Sequence, residues 1–252
     1  MNLEKKISNW LKLYLEKNTV DCFVVGVSGG IDSALTSTLC AMTGIKTIVV
    51  TMPIHQNKNE TTRAKNHIAW LKNQFSEVED YCVDLTDTYE TMKQSVPEEF
   101  RTNLSLANSR ARIRMSTLYI IAGGKNGIVV GTGNKIEDFG IGFYTKYGDG
   151  GVDISPIADL MKSEVYSLSK KIGIISEILD AKPTDGLWDD GRTDEDQIGV
   201  TYDELEWAMG YNGKEKINQQ QKKALNIYLK HRNNNLHKMI PIPIYKKKDK
   251  EV

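Results

Sequence analysis

The sequence predicts an α/β fold, a doubly wound parallel sheet with helices on both faces. Short apolar segments that are typical of buried strands alternate along the chain with longer segments of helical periodicity. The segment 23–27 is apolar throughout, and 46–52 has the apolar centre Ile48-Val49-Val50, as expected of strands that are covered on both faces. A turn containing Gly29 and Gly30 joins the first of these strands directly to a helix, which is where doubly wound folds open a ligand crevice.

The individual elements follow from these patterns in chain order. The first helix, 3–16, spaces Ile7, Leu11 and Leu15 along one face, and the helix 59–75 directs Ile68 and Leu71 inward. Buried strands are predicted at 23–27 and 46–52, a third and less clearly patterned strand at 78–85, and a short strand at 127–131. Helices are predicted at 3–16, 34–42, 59–75, 86–94, 103–122, 163–172 and 213–234. A polar, Gly-rich loop is expected at 132–151, and the Lys-rich tail 245–252 is expected to fray.

Length and composition fit one globular domain spanning residues 1–252. Lys+Arg and Asp+Glu are 33 each, so the basic excess typical of nucleic-acid binders is absent. No apolar segment approaches the roughly 20 residues of a membrane span, and the first residues lack the apolar segment of a signal peptide. The three cysteines are widely spaced and odd in number, which predicts free thiols in a reducing cytoplasm.

The turn between the first strand and the second helix is a candidate phosphate site. Two glycines let the backbone approach a ligand, and the helix N-terminus offers free N–H groups to an anion. Ser28 and Ser33 add hydroxyl groups, and the carboxylate of Asp32 beside a phosphate suggests a bridging cation. The simpler interpretation is a tight turn with an Asp or Ser helix cap. A Walker A loop is excluded, because no Gly-Lys-Ser/Thr follows.

A second candidate stretch, rich in Gly and charge, runs over 131–153 after the fourth strand. The carboxyl ends of parallel strands share one edge of the sheet, so this stretch is expected near the first turn. Glu137 could then share Mg²⁺ with Asp32, since Mg²⁺ is usually bound by one or two carboxylates with phosphates and waters. The alternative is a solvated surface loop, although long loops in compact domains are often functional.

These motifs resemble those of known enzymes. Ser28-Gly-Gly-Ile-Asp-Ser33 resembles the pyrophosphate loop of the ATP pyrophosphatase (PP-loop) superfamily, whose fold is adenine nucleotide alpha hydrolase-like. Gly131-Thr-Gly-Asn-Lys135 followed by Thr145-Lys-Tyr-Gly-Asp-Gly-Gly-Val-Asp153 resembles the NAD⁺ synthetase family. The similarity continues in the stretches 108–115, 159–162, 182–188, 193–199 and 237–238.

The resemblance implies a reaction and a set of binding residues. It implies a ligase, a homodimer, that uses ATP and ammonia to amidate deamido-NAD⁺ through an adenylated nicotinate carboxylate. ATP contacts are implied for Gly26, Val27, Ser28, Gly29, Gly30, Ile31, Asp32, Ser33, Thr132, Lys162 and Thr184. Contacts to deamido-NAD⁺ are implied for Arg112, Lys146, Asp153, His237 and Lys238. Asp32 and Glu137 are the implied Mg²⁺ ligands.

Two departures from the family pattern and three alternatives remain open. The segment between Glu137 and Thr145 is one residue longer than the commonest spacing in the family, so Asp138 is the alternative metal ligand. In addition, Asp185 stands where many members of the family have Ala. None of the cysteines has the setting of a glutaminase thiolate, so free ammonia is the expected nitrogen donor. The alternative functions are a tRNA-modifying or an amidotransferase PP-loop enzyme, or a non-catalytic nucleotide-binding module.

Overall fold

A computed structural model gives the fold of residues 2–56, 58–184, 193–245 and 247. Asp185 to Trp188 of the motif noted above, and residues 246 and 248–252 of the predicted Lys-rich tail, lie outside the described residues. The strands are β1 (Cys22–Gly26), β2 (Thr47–Thr51), β3 (Val78–Cys82) and β4 (Gly127–Val129). Within the described residues the α-helices are α1 (Leu3–Asn18), α2 (Ile31–Ala41), α3 (Lys58–Gln74), α4 (Thr86–Ser95), α5 (Asn103–Gly124), α6 (Lys162–Lys171), α7 (Ser176–Leu179), α8 (Asp194–Ile198), α9 (Tyr202–Gly210) and α10 (Gln219–Met239).

The four strands found among the described residues form one parallel sheet in the order β3-β2-β1-β4. Val24 at the centre of β1 pairs with Ile48 of β2 on one side and with Val129 of β4 on the other. The chain therefore builds outward from β1 to β3 and then returns to the opposite side of β1. This reversal of strand order opens a crevice outside the carboxyl ends of β1 and β4.

Helices cover both faces of the sheet. Phe23 and Val25 of β1 pack with residues of α1, α2 and α6, whereas Val24 packs with Met115 and Leu118 of α5. Alternate residues of one strand thus enter two different cores, and this explains why β1 is apolar at successive positions. The predicted fold class is confirmed. Among the described residues, none of the helices is long and apolar enough to cross a membrane.

A third core beside the sheet was not predicted. It is built by α9, α10 and a π-helical segment, Lys135–Ile141, which lies inside the region expected to be a loop. Asn134 caps this segment: its Oδ1 accepts hydrogen bonds from the N–H groups of Ile136 (3.1 Å) and Glu137 (3.0 Å). Ile136 and Ile141 are fully buried against α9 and α10. This packing fixes the backbone that carries Glu137.

Candidate active site

The predicted phosphate turn lies at the carboxyl end of β1, and α2 begins immediately after it at Ile31. Gly30 is the N-cap residue and no side chain caps the helix, so the first N–H groups of α2 are available to a ligand. The two serines stabilise the turn itself. The Oγ of Ser28 accepts a hydrogen bond from the N–H of Gly30 (3.2 Å), and the Oγ of Ser33 donates to the carbonyl of Gly30 (2.9 Å).

Gly29 is required by the geometry of this turn. Its φ of +89° lies in the left-handed region, and a Cβ atom there would lie 2.6 Å from the backbone oxygen of Glu60. The start of α3 therefore packs directly against the turn, and the Nε of Arg63 donates to the carbonyl of Gly29 at 3.3 Å. Only a glycine allows this close approach.

A cleft of about 280 Å³ opens beside the turn. Its wall includes residues of the turn, the ends of β1, β2 and β4, the inner face of α5 and the start of α6. Gly29 alone of the residues proposed for ATP does not line the cleft, since it lies behind the turn against α3. The residues of the predicted ATP and metal sets that line it are Gly26, Val27, Ser28, Gly30, Ile31, Asp32, Ser33, Thr132, Glu137, Lys162 and Thr184.

Lys162 lies at the centre of a charged cluster in this cleft. Its Nζ is 2.6 Å from Oδ2 of Asp32 and 2.9 Å from Oε1 of Glu137, and the lysine is only 2% exposed. Burial disfavours the ammonium, but the two carboxylates outweigh this effect and raise the pKa of Lys162. Lys162 is therefore a permanent positive charge, held by carboxylates from two other parts of the chain.

The two carboxylates of the cluster differ in their titration. Burial raises the pKa of Asp32, and together with the negative charge of Glu137 it outweighs the ammonium of Lys162, which favours ionisation. Burial also opposes ionisation of Glu137, but the ammonium of Lys162 and the hydroxyl of Tyr202 favour it more strongly and lower its pKa. Glu137 is consequently the carboxylate that keeps its charge most firmly.

Asn134 and Tyr202 complete the cluster, although neither was predicted as a site residue. The Nδ2 of Asn134 donates to Oδ1 of Asp32 at 3.0 Å, so its amide joins the phosphate turn to the π-helical segment. The hydroxyl of Tyr202 donates to Oε1 of Glu137 at 2.6 Å. Asn134 stands inside the Gly-rich stretch that was singled out, whereas no sequence signal connected Tyr202 to the site.

Two further carboxyl groups lie on this side of the cleft. Asp138 and Asp149 also line it. Burial and the charges of Asp149 and Glu137 raise the pKa of Asp138 well above its usual range, and burial raises the pKa of Asp149 to about 6. Within the described residues, no three His, Cys, Asp or Glu side chains are arranged to hold a metal ion by themselves. The donor set fits a divalent cation that takes its remaining ligands from phosphate and water.

Three nearby arginines of α5 have three different sets of partners. Arg114 lines the cleft, where its Nε donates to the carbonyl of Met52 (2.9 Å). Arg112 lies outside it, and its Nε donates to the carbonyl of Lys146 (3.2 Å). Arg110 stacks over the ring of Tyr89 at 5.1 Å. Arg114 is thus a cleft residue that was not selected from the sequence.

Four of the five residues predicted to contact deamido-NAD⁺ form a group outside the cleft lining: Arg112, Lys146, His237 and Lys238. The Nζ of Lys146 donates to the carbonyl of His237 (3.0 Å), and the Nζ of Lys238 donates to the carbonyl of Tyr144 (2.7 Å). With Arg112 on Lys146, these contacts bring α5, the Gly-rich stretch and the end of α10 together. Asp153 is engaged elsewhere.

Both carboxylate oxygens of Asp153 are bound within the fold. Oδ1 accepts from the hydroxyl of Tyr119 (2.9 Å), and Oδ2 accepts from the N–H of Val129 (2.8 Å). Tyr119 in turn borders a shallow hollow together with Ile120 and Tyr147. Asp153 therefore connects the end of β4 to this apolar surface.

Comparisons with known proteins agree with this architecture. The NAD synthase family matches residues 3–249. The NH₃-dependent NAD⁺ synthetase of Methanosarcina acetivorans is 40% identical over 207 residues, which are 80% of this chain and 79% of that protein. The NMN synthetase of Francisella tularensis is 32% identical with a TM-score of 0.88, covering 97% of this chain and 98% of that one. The NH₃-dependent NAD synthetase of Campylobacter jejuni, in complex with nitrate, is 26% identical with a TM-score of 0.76, covering 98% of this chain and 100% of that one. The matching family model and the similarity to curated relatives over four fifths of the chain show that this protein belongs to the NAD synthase family.

Proposed function

We propose that this chain amidates deamido-NAD⁺ with ammonia and ATP, giving NAD⁺, AMP and pyrophosphate. The observation that carries the proposal is the position of Lys162, Asp32 and Glu137 beside the uncapped N-terminus of α2, in one cleft. Family membership supplies the reaction class. The proposal also includes a single domain over residues 1–252. It places the protein in the cytoplasm, which its three free cysteines support.

The first half-reaction activates a poor electrophile. The nicotinate carboxylate attacks the α-phosphorus of ATP, the bond to the β-phosphate breaks, and pyrophosphate leaves with its electron pair. The N–H groups at the start of α2 would bind the phosphates, and the ammonium of Lys162 would stabilise the negative charge of the transition state. No protein nucleophile is required, because the substrate itself supplies the attacking oxygen.

The second half-reaction forms the amide. Neutral ammonia attacks the acyl carbon of the adenylate, AMP leaves with the former carboxylate oxygen, and the attacking nitrogen loses a proton. Asp149 lines the cleft, and its pKa of about 6 allows it to be ionised at neutral pH. A carboxylate in that state could attract an ammonium ion or accept a proton.

Mg²⁺ fits the excess of carboxylates in the cleft and belongs to this proposal. Asp32 and Glu137 would hold it, with Asp138 as the alternative to Glu137. When bound, the ion would neutralise phosphate charge. Lys162 bridges both carboxylates, so the residues that would hold the ion lie beside the ammonium that would bind phosphate.

Deamido-NAD⁺ is proposed to contact the group formed by Arg112, Lys146, His237 and Lys238, with Asp153 at its edge. The hollow beside this group is apolar and exposed: Ile120 is 75% exposed and Tyr147 is 60% exposed. Exposed aromatic and aliphatic side chains of this kind mark protein interfaces. We therefore propose a homodimer that buries this face of α5 next to the substrate.

A second candidate substrate is nicotinate mononucleotide, whose amidation would give NMN. The similarity to the NMN synthetase of Francisella tularensis, which extends over 97% of this chain, favours it. Both substrates present the same nicotinate carboxylate, so the cleft chemistry is the same for either. They differ only in the adenylate part that would lie on the group around Arg112.

The test is a product assay with each substrate in turn. Purified protein with ATP, Mg²⁺ and ammonium chloride receives either deamido-NAD⁺ or nicotinate mononucleotide, and mass spectrometry follows NAD⁺, NMN and AMP. The proposal expects NAD⁺ and AMP in equal amounts, with the higher kcat/KM for deamido-NAD⁺. A higher kcat/KM for the mononucleotide would establish the second candidate. If no AMP is released with either substrate, both candidates are refuted.

A further inference from the structure

Tyr202 is the first residue of α9 and belongs to the core beside the sheet. It is 7% exposed and packs with Ile136, Leu205 and Tyr228. A buried hydroxyl needs a hydrogen-bond partner, and a buried carboxylate is stabilised by a donated hydrogen bond. Here the hydroxyl reaches into the charged cluster of the cleft.

Tyr202 touches two of the three charged groups at once. Its hydroxyl donates to Oε1 of Glu137 at 2.6 Å, and the Nζ of Lys162 lies 4.9 Å from the centre of its ring. A second carboxylate oxygen, Oδ2 of Asp194, is 3.3 Å from the same hydroxyl. Since one O–H group donates one strong hydrogen bond at a time, the shorter contact identifies Glu137 as its main acceptor.

The hydrogen bonds that Glu137 accepts show what its contact with Tyr202 can do. Lys162 and Tyr202 both bind Oε1, so neither of these donors occupies Oε2. If the ammonium of Lys162 turns toward a phosphate, the Tyr202 hydroxyl still restrains the carboxylate. A charge-assisted bond of 2.6 Å from a buried, rigid ring is suited to that task.

We infer that Tyr202 is a positioning residue, which holds the carboxylate of Glu137 toward the cleft so that its other oxygen, Oε2, can bind the nucleotide-associated divalent cation. The inference rests on the proposed function for the identity of the nucleotide. It goes beyond that function because it assigns a role to a residue of α9 that reaches no substrate itself.

The variant Tyr202→Phe tests the hydroxyl alone, because it keeps the ring that packs under Lys162. The matched control is Tyr228→Phe, since Tyr228 is equally buried (7% exposed) in the same core. Mn²⁺ is the probe, titrated by electron paramagnetic resonance in the presence of α,β-methylene ATP, which is not cleaved between its α and β phosphates. This binding measurement requires no turnover, so it reports on Tyr202 even if the substrate of the proposed function is wrong.

Tyr202→Phe is expected to weaken Mn²⁺ binding and lower kcat, each by about tenfold, with KM for deamido-NAD⁺ changed less than about twofold. Tyr228→Phe is expected to change neither. The decisive comparison uses Glu137→Gln as the background. If Tyr202 acts through Glu137, adding Tyr202→Phe to that variant costs little further Mn²⁺ affinity.

Full additivity of the two changes, or Mn²⁺ affinity in Tyr202→Phe within twofold of the parent, would overturn the inference. A Tyr202→Phe protein that loses activity but keeps its Mn²⁺ affinity would overturn it as well, because the hydroxyl would then act on another step. Melting temperatures of both Phe variants show whether any loss is a loss of folding.

Discussion

The Nζ of Lys162 lies 2.6 Å from Oδ2 of Asp32, although 130 positions of sequence separate the two residues. Asp32 is in the first turn of α2 and Lys162 is the first residue of α6, so two helix N-termini meet at one crevice. A cation at a helix N-terminus opposes the helix dipole, which makes Lys162 unfavourable for α6 by itself. Its two carboxylate partners offset this cost. This conflict between the charge of Lys162 and the dipole of α6 indicates that Lys162 serves ligand binding rather than helix stability.

Asp32→Asn should remove most of the activity and preserve the fold. The substitution keeps the shape of the side chain but deletes one charge that pairs with Lys162 and is proposed to bind Mg²⁺. We expect AMP release to fall by about 100-fold or more, with a nearly unchanged circular dichroism spectrum. The control is Asp159→Asn, which removes an exposed carboxylate paired with Lys135. Unchanged turnover of Asp32→Asn at limiting Mg²⁺ would contradict the metal assignment.

Gly29→Ala should destabilise the protein more than Gly173→Ala does. Both glycines have a positive φ, +89° and +80°, so both alanines suffer the left-handed backbone strain of about 1–2 kcal/mol. Only at Gly29 would the new Cβ also collide with a backbone oxygen, that of Glu60, at 2.6 Å; around Gly173 the space is open. Urea unfolding of both variants isolates the collision. Equal losses of unfolding free energy would show that α3 does not press on the phosphate turn.

His67 should make the protein sensitive to acid. The side chain is fully buried against Ser37 and Trp70, and burial lowers its pKa from 6.5 to about 4. Between pH 6.5 and about pH 4, His67 binds a proton in the unfolded chain but not in the folded protein. The contribution of neutral His67 to the free energy of unfolding is therefore fully present above pH 6.5. It falls by about 3 kcal/mol as the pH drops toward 4.

The measurement for His67 compares wild type with His67→Gln by chemical unfolding at pH 8 and at pH 4.5. The glutamine variant should be less stable at pH 8, because it loses the packing of the imidazole, and the difference should shrink at pH 4.5. A difference that stays constant between the two pH values would mean that His67 does not cause the acid sensitivity.

Free ammonia should be the direct nitrogen donor of this chain. Hydrolysis of glutamine needs a reactive thiolate, but burial raises the pKa of both the Cys22 and the Cys40 thiols. The third cysteine, Cys82, is exposed but does not line the cleft. We expect NAD⁺ formation with ammonium chloride and none above background with ammonia-free glutamine. At fixed total ammonium the rate should rise with pH, because neutral ammonia is the attacking species. Comparable rates with the two donors would reveal a glutaminase site in the chain.

Ile120→Asp should convert the proposed homodimer into monomers. The substitution places a charge in the centre of the apolar face that includes Tyr119 and Tyr147. The control is Leu13→Asp on α1, since Leu13 is also exposed (54%) but does not line the hollow beside α5. Light scattering reports the mass of each protein. A wild-type mass near 28.4 kDa at working concentration would rule out the dimer.

The limits of sequence-based prediction are visible in particular elements. The π-helical segment Lys135–Ile141 was expected to be loop, because its polar residues lack helical periodicity and its stability comes from the Asn134 cap and from Ile136 and Ile141 packing on α9 and α10. The last helix was predicted to begin at 213 but begins at Gln219. Asn218 and Gln221 form a capping box at that start. That box, and the one at the start of α9, were signals in the sequence that would have located both helices.

The sequence by itself determined the features that depend on neighbouring residues. The apolar segment β1, the glycine turn and the start of α2 are contiguous, so their conformation, and the free N–H groups that it leaves at the start of α2, follow from local chemistry. The tertiary structure alone decided which distant groups join Asp32: Lys162 from α6, Glu137 from the π-helical segment and Tyr202 from α9. Those contacts depend on how separate helices pack on the sheet and on the third core. Packing is set by the side chains of many residues together, and no local pattern records it.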